Sequence, residues 1–379
     1  MSLTLLFAVI LVALVFEYIN GFHDTANSIA TVVATKVLTP TQAVMMAAIM
    51  NLIGALWGTA VAKTISSGLI DSKLVTMTSD ILICALLGGI VWNLVTWWLG
   101  LPSSSSHALI GGLCGAALAA AGNNWHVIIW SQPAADHWYK GKGLLWKVVV
   151  PMFSSPLGGF LLGFLLMGLL YALIAFLNHR TGWVRDISRP RWVNWFFGKA
   201  QIFSASAMGF MHGTNDAQKT MGIIALALVS ATTAGALDSL PSGLSFLHTK
   251  PPPPGKDLEI ATWIKITCAI VMALGTAAGG WRIIKTLGHK MVKLHPINGF
   301  AAETSSATMI GLASSLGIPV STTHNISAAI MGVGCARRLN AIRWTVVERM
   351  VWAWLLTIPV SGLIAYLLTR LVKGTGGAS

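Results

Sequence analysis

Two aspartates lie inside otherwise apolar stretches, each in the same kind of company. Asp24 sits in Gly21-Phe22-His23-Asp24-Thr25-Ala26-Asn27-Ser28, and Asp216 in Gly213-Thr214-Asn215-Asp216-Ala217-Gln218-Lys219-Thr220. Ser, Thr and Asn compete with a helix for its own backbone hydrogen bonds. Each motif is therefore expected to break a helix and free carbonyl oxygens. A carboxylate, amide oxygens and free carbonyls together suit a hard cation or a proton. The same residues also fit a polar hinge with a self-capping Asp, but their recurrence favours a site. Lys219 stands where the first motif has Asn27, either neutralising Asp216 or attracting an anion.

A second pair of motifs carries different chemistry. Pro102-Ser103-Ser104-Ser105-Ser106-His107 and Pro319-Val320-Ser321-Thr322-Thr323-His324 each open a short apolar stretch with a run of hydroxyls. A helix N-terminus offers unpaired N–H groups and the positive end of a dipole. Hydroxyl donors added there make a cradle for an oxyanion. A single cap needs one hydroxyl, so plain capping leaves the rest of each run unexplained. His23, His107, His212 and His324 fall in these motifs and are candidates for proton handling near neutral pH, or for structural hydrogen bonding. No His-x-x-x-His or Cys-x-x-Cys pair points to zinc, and no cofactor is implied.

Elements that position such groups must be membrane helices. The chain has 379 residues, 55% hydrophobic and 10% charged, with mean hydropathy +0.71. That composition excludes a soluble enzyme and a disordered chain. The net charge of +13 is scattered between apolar runs, so nucleic acid is no partner, whereas membrane lipid is. Cys84, Cys114, Cys268 and Cys335 lie in apolar runs and read as inert buried thiols. The N-terminus lacks a basic n-region and does not read as a signal peptide. Apolar segments run over 3–35, interrupted by the first motif, then 41–62, 80–100, 104–121 and 148–177. They resume at 200–236, interrupted by the second motif, then 261–281, 301–317, 323–336 and 344–371.

Three anchors recur in order: the Asp motifs, Lys63-Thr64 with Lys285-Thr286, and the hydroxyl runs. The extra length of the second copy falls largely near Pro251–Pro254. The expected fold is an all-α polytopic membrane protein built as two inverted repeats of about five crossings each, about 10–12 segments counting broken and hairpin helices. The repeats are 1–177 and 200–379, joined by a cytoplasmic connector, 178–199. An odd number of crossings inverts the second half. Arg180, Arg185, Arg189, Arg191 and Lys199 lie on the connector's side, while Lys73, Lys140, Lys142 and Lys256 lie on the side of the termini. The overall excess favours a cytoplasmic connector.

The sequences from Gly21, from His212 (His-Gly-Thr-Asn-Asp-Ala-Gln-Lys-Thr-Met-Gly) and from Pro319 resemble the inorganic phosphate transporter family (PiT, Pho-4) over nearly the whole chain. The resemblance implies phosphate import by ion-coupled symport through two inverted repeats, in a bacterial inner membrane. Phosphate is then expected on Ser104, Ser105, Ser106, Ser321, Thr322 and Thr323, with Asn27, Ser28 and Thr220. The coupling cation is expected on Asp24, Asp216, Asn215 and His23. His23 stands where many members have Asn, which resembles the proton-coupled bacterial branch that takes up phosphate with divalent metal. H+ is favoured over Na+, and a homodimer is an allowed assembly. A sulfate permease of the same fold is the nearest alternative. An intramembrane Ser/His hydrolase is more distant, because catalysis needs one nucleophile with its base and here the motif occurs twice. No filter repeat suggests a channel, and no phosphate-binding loop of ATPases suggests a pump.

Overall fold

The computed structural model describes residues 3–67, 69–71, 73–132, 141, 143–238, 241–251 and 258–376. Pro252–Pro254 of the expected long loop, and Lys140, Lys142 and Lys256 of the charge comparison, lie outside the described residues.

Helices α1 (Leu3–Ala34), α2 (Pro40–Ala55), α3 (Ala60–Ser67), α4 (Ser79–Leu99), α5 (Ser105–Ala120) and α6 (Val150–Asn178) come first. After a short α7 (Trp183–Ile187) follow α8 (Pro190–Thr233), α9 (Thr262–Ala278), α10 (Trp281–Lys285), α11 (Pro296–Ser315), α12 (Thr322–Arg337) and α13 (Trp344–Gly376). Long, short, short, long, short, long is the order from α1 to α6 and again from α8 to α13. The two runs pack crosswise: α2 against α8, α9 against α1, α12 against α6 and α13 against α5. Among the described residues there is no strand, only an isolated bridge between Ile70 and Ile128.

Local chemistry sets these boundaries. Thr39 accepts from the Gln42 N–H at 3.3 Å, and the Gln42 side chain accepts from the Thr39 N–H at 3.0 Å. With Pro40 in the first turn, this capping box starts α2. Helix α4 stops at Gly100, whose φ of 68° is open to glycine. Four helices are long and apolar enough to cross a membrane, among the described residues: α1, α4, α6 with its preceding turn, and α13. A fifth span counts α9 with the segment Trp281–Lys290, bent by 57°. The outer faces of α6 and α13 carry exposed Leu161, Leu165, Leu169, Leu363, Leu367 and Leu371, as a lipid-facing surface requires.

Two sequence expectations change here. The Asp motifs do not break their helices: α1 runs 32 residues and α8 runs 44 without interruption. At about 1.5 Å per residue these are roughly 48 and 66 Å, longer than a roughly 30 Å hydrocarbon core. The physical reason is that the polar side chains find partners on other helices, so the backbone need not open. Some even bond back along the helix: Thr25 Oγ1 donates to Gly21 O at 2.6 Å and Gln218 Nε2 to Thr214 O at 2.6 Å. The segment expected over 41–62 is split, with α2 ending at Ala55 and Gly58 turning at φ 83° before α3. The stretch 178–199 is largely helical, holding α7 and the start of α8.

Two apolar cores share the long helices. One takes α1 up to Ile19 and α8 from Ala217 onward; the other takes α1 from Ala26 and α8 up to Met208. The Asp motifs occupy the seam between them. The Lys-Thr anchors have matching structural roles. Thr64 Oγ1 donates to Gly317 O at 2.7 Å, just before the second hydroxyl run. Thr286 Oγ1 donates to Gly100 O at 2.8 Å, just before the first.

Candidate ion and anion site

Helices α1 and α8 bring Asp24 and Asp216 to the seam, both buried. One carboxylate oxygen from each and a ring nitrogen of His212 lie within 4.8 Å of one another. His212 reaches there because it precedes Asp216 by one helical turn, its Nε2 3.0 Å from Asp216 Oδ2. Its Nδ1 meets Asn51 Oδ1 of α2 at 3.0 Å. His23 Nδ1 pairs with Asp24 Oδ1 at 2.7 Å. The other side of the His23 ring meets Thr96 Oγ1 at 3.2 Å and Ser103 Oγ at 3.4 Å.

The second hydroxyl run joins the two carboxylates. Thr322 Oγ1 donates to Asp216 Oδ2 at 2.9 Å, and Thr323 Oγ1 donates to Asp24 Oδ1 at 3.4 Å. Asn27 Nδ2 donates to both threonine oxygens, at 3.2 and 2.9 Å. The first run enters through Lys219, whose ammonium pairs with Asp216 and also donates to Ser106 Oγ and to Val320 O, the last at 3.1 Å. The heads of α5 and α12 meet, with the His107 and His324 rings 4.8 Å apart at their centroids. His324 stacks in turn on Trp354 of α13 at 4.2 Å.

The expected phosphate residues therefore divide. Ser104 and Ser321 are N-caps, accepting from the His107 and His324 N–H groups at 3.2 and 3.1 Å. Ser106, Thr322, Thr323 and Asn27 belong to the bonded seam. Ser28 and Ser105 are buried with hydroxyls that have no protein partner, which leaves them available to a ligand. Thr220 turns away and donates to Glu17 Oε2 at 2.5 Å. Of the expected cation residues, Asp24, Asp216 and His23 come together. Asn215 donates to Ser314 Oγ at 2.9 Å and keeps an unpartnered Oδ1.

The sequence reading names His212 for proton handling but leaves it out of the cation set; its spacing from Asp216 puts it there once the helix is continuous. It also missed Thr96 and Ser103. Glu303 is a further buried carboxylate, receiving hydrogen bonds from Thr31, Ser204 and Gln201, the last at 3.2 Å.

Charge decides what the seam can hold. Two carboxylates face one ammonium in an apolar interior, leaving room for a cation or proton. An anion arriving alone would meet unfavourable charge: like charges at 4 Å repel by about 4 kcal/mol at an effective dielectric of about 20. With a cation between the carboxylates, the hydroxyls, Lys219 and two helix N-termini would offer donors to an oxyanion.

The phosphate transporter family model matches residues 20–365. The chain is 40% identical to a "Probable low-affinity inorganic phosphate transporter" of Bacillus subtilis (strain 168), over 98% of each chain. It is 43% identical to a protein of the same description from Rhizobium meliloti (strain 1021), over 97% of this chain and 96% of that one. A solved structure titled "The sodium-dependent phosphate transporter" shares the fold, with a TM-score of 0.78 and 24% identity over 98% of this chain and 99% of that one.

Proposed function

The chain belongs to the phosphate transporter family, and on that premise we propose that it is a secondary symporter importing inorganic phosphate with a coupling cation. It is a transporter and not an enzyme, and its long apolar helices make it an integral membrane protein. The observation that carries the symport reading is the bridge from Asp24 through Thr323, Asn27 and Thr322 to Asp216, with Lys219 joining Asp216 to Ser106. Cation and anion groups share hydrogen bonds, so neither ligand can bind without disturbing the other's partners. Binding the cation first relieves the repulsion an anion would meet, and by reciprocity the anion tightens the cation.

Alternating access would then come from the two halves, 1–177 and 200–379, moving against each other around the seam as inverted repeats. A bacterial inner membrane is the proposed location. H+ is the proposed coupling ion, since His23 adds a titratable ring beside Asp24 where an amide would suit sodium. Purified protein in proteoliposomes, given labelled phosphate with proton and sodium gradients imposed separately, tests this. Uptake driven by the proton gradient and resistant to excess sulfate is expected. Uptake driven only by sodium would refute the proton reading, and full competition by sulfate would refute the phosphate one.

A further inference from the structure

Two helical turns before Asp24, a second group of buried polar side chains lies where α1 packs between α4 and α8. Glu17 is fully buried. One of its oxygens accepts from Thr220 Oγ1, while Oε1 has no partner. None of the described ion pairs includes it. Asn20, one turn further along α1, is buried with its Oδ1 unpartnered. Asn93 of α4 is buried with both Oδ1 and Nδ2 unpartnered.

Helices α1 and α4 run in step. His23 meets Thr96 at a separation of 73 residues. A Cβ on Gly89 would touch Phe16 at 3.1 Å, at the same separation. That register sets Asn93 level with Asn20, one turn from Glu17.

The group is short of donors. Glu17 Oε1, Asn20 Oδ1 and Asn93 Oδ1 all lack one, while the Asn20 amide is turned to the Glu17 carboxyl and the Asn93 amide has no partner. Each unpaired buried polar atom costs about 1–3 kcal/mol, more for a charged one. A proton on Glu17 Oε1 removes the uncompensated charge and supplies the missing donor at once. A metal cation fits less well, because hard cations take about six oxygens and the Asn93 N–H groups would face it.

We propose that Glu17, with Asn20 and Asn93, binds a second transported proton beside the cation held at the aspartate seam. The inference rests on the symport reading and adds one titrating site to it. The titratable groups that act on Glu17 are Asp216 and Lys219 on α8 and Cys268 on α9; His23 and Asp24 follow about two turns further along α1. Lys219 is already committed to Asp216 and Ser106, so it does not neutralise Glu17. A hydronium ion on the uptake side gives a proton to Oε1, its own O–H bond breaking to leave water, and after reorientation the Glu17 O–H bond breaks as a water on the far side takes the proton to become hydronium.

The test is Glu17→Gln, which keeps an acceptor for Thr220 while removing the titration. Purified full-length protein goes into proteoliposomes with an entrapped pH dye. Exchange of labelled for unlabelled phosphate at equal pH needs no net proton movement and should stay within about twofold of the parent. Protons carried per phosphate should fall by about one, and the accumulation driven by an inward gradient of about one pH unit should fall about tenfold against the parent. An unchanged proton count overturns the proposal, as does a partial loss of exchange matched by an equal loss of driven uptake. Glu17→Gln combined with Asn93→Asp returns a carboxyl to the same group from α4 and should restore proton-driven accumulation. If the single variant lacks exchange, this double variant decides alone, its failure to match the parent's proton count being refutation. A parent without phosphate exchange would instead refute the transport reading itself.

Discussion

Asp24 and Asp216 each receive a threonine hydroxyl and face a histidine, so a neutral amide of the same shape keeps the packing and loses the charge. Asp24→Asn and Asp216→Asn should therefore insert and fold yet lose driven phosphate uptake, read as labelled uptake against the amount of protein reconstituted. Wild-type rates in both would remove the aspartates from coupling. His23 makes a sharper case. Its ring bridges Asp24 to Thr96 and Ser103, and His23→Asn exchanges a titratable group for an amide oxygen. With pH held equal on both sides, a sodium gradient should stimulate His23→Asn and leave the parent unaffected. Sodium stimulation of the parent would contradict the proposed proton coupling.

The short helices α5 and α12 hold the hydroxyl runs, and the residues in each run have separate jobs. Ser104 and Ser321 cap, so Ser104→Ala should cost about 1 kcal/mol of stability, seen as a lower melting temperature with little change in KM. Thr322 and Thr323 join the carboxylates, and each lost hydrogen bond to a charged group is worth about 1.5–3 kcal/mol. Thr322→Ala with Thr323→Ala should raise the apparent KM at least about tenfold. Both short helices lie tight against the outer ones: a Cβ on Gly115 would strike the Gly362 carbonyl, and one on Gly332 the Phe160 carbonyl. Gly332→Leu should thus lower thermal stability in detergent far more than Gly168→Leu, where the space is open. The hydroxyl runs and the aspartates were legible in the sequence because polar residues stand out in apolar stretches. Their division into caps and bridges was not, since Ser104 and Ser106 look alike until Lys219 reaches one of them. Helix continuity through the motifs was misread for a related reason. Partners such as Thr323 for Asp24 come from distant chain, and local composition cannot report them.

Across the whole molecule, buried carboxylates line up along the antiparallel pair α1 and α8. Glu17, Asp24 and Thr31, the partner of Glu303, fall on one face of α1 at two-turn steps of roughly 10 Å. The order of helix lengths, repeated from α1–α6 to α8–α13, follows the duplicated anchors that the sequence displays. The crosswise packing of the two runs is not written there. The Thr64–Gly317 and Thr286–Gly100 bonds each tie one run to the loop ahead of the other's hydroxyl motif. Thr64→Val and Thr286→Val should shift the labelling of a reporter cysteine by an impermeant reagent in opposite directions, and a shift in the same direction would deny them paired roles. A single neutral hydrogen bond is worth about 0.5–1.5 kcal/mol. The difference between two such bonds is smaller still, so neither fastening by itself holds the carrier on one side. Under the proposed alternating access, two such matched fastenings would leave the two postures close in energy, like a balance with equal weights. A differential binding energy of about 1.4 kcal/mol would tilt such a balance tenfold, so the proposed cargo and proton would direct the motion without binding tightly.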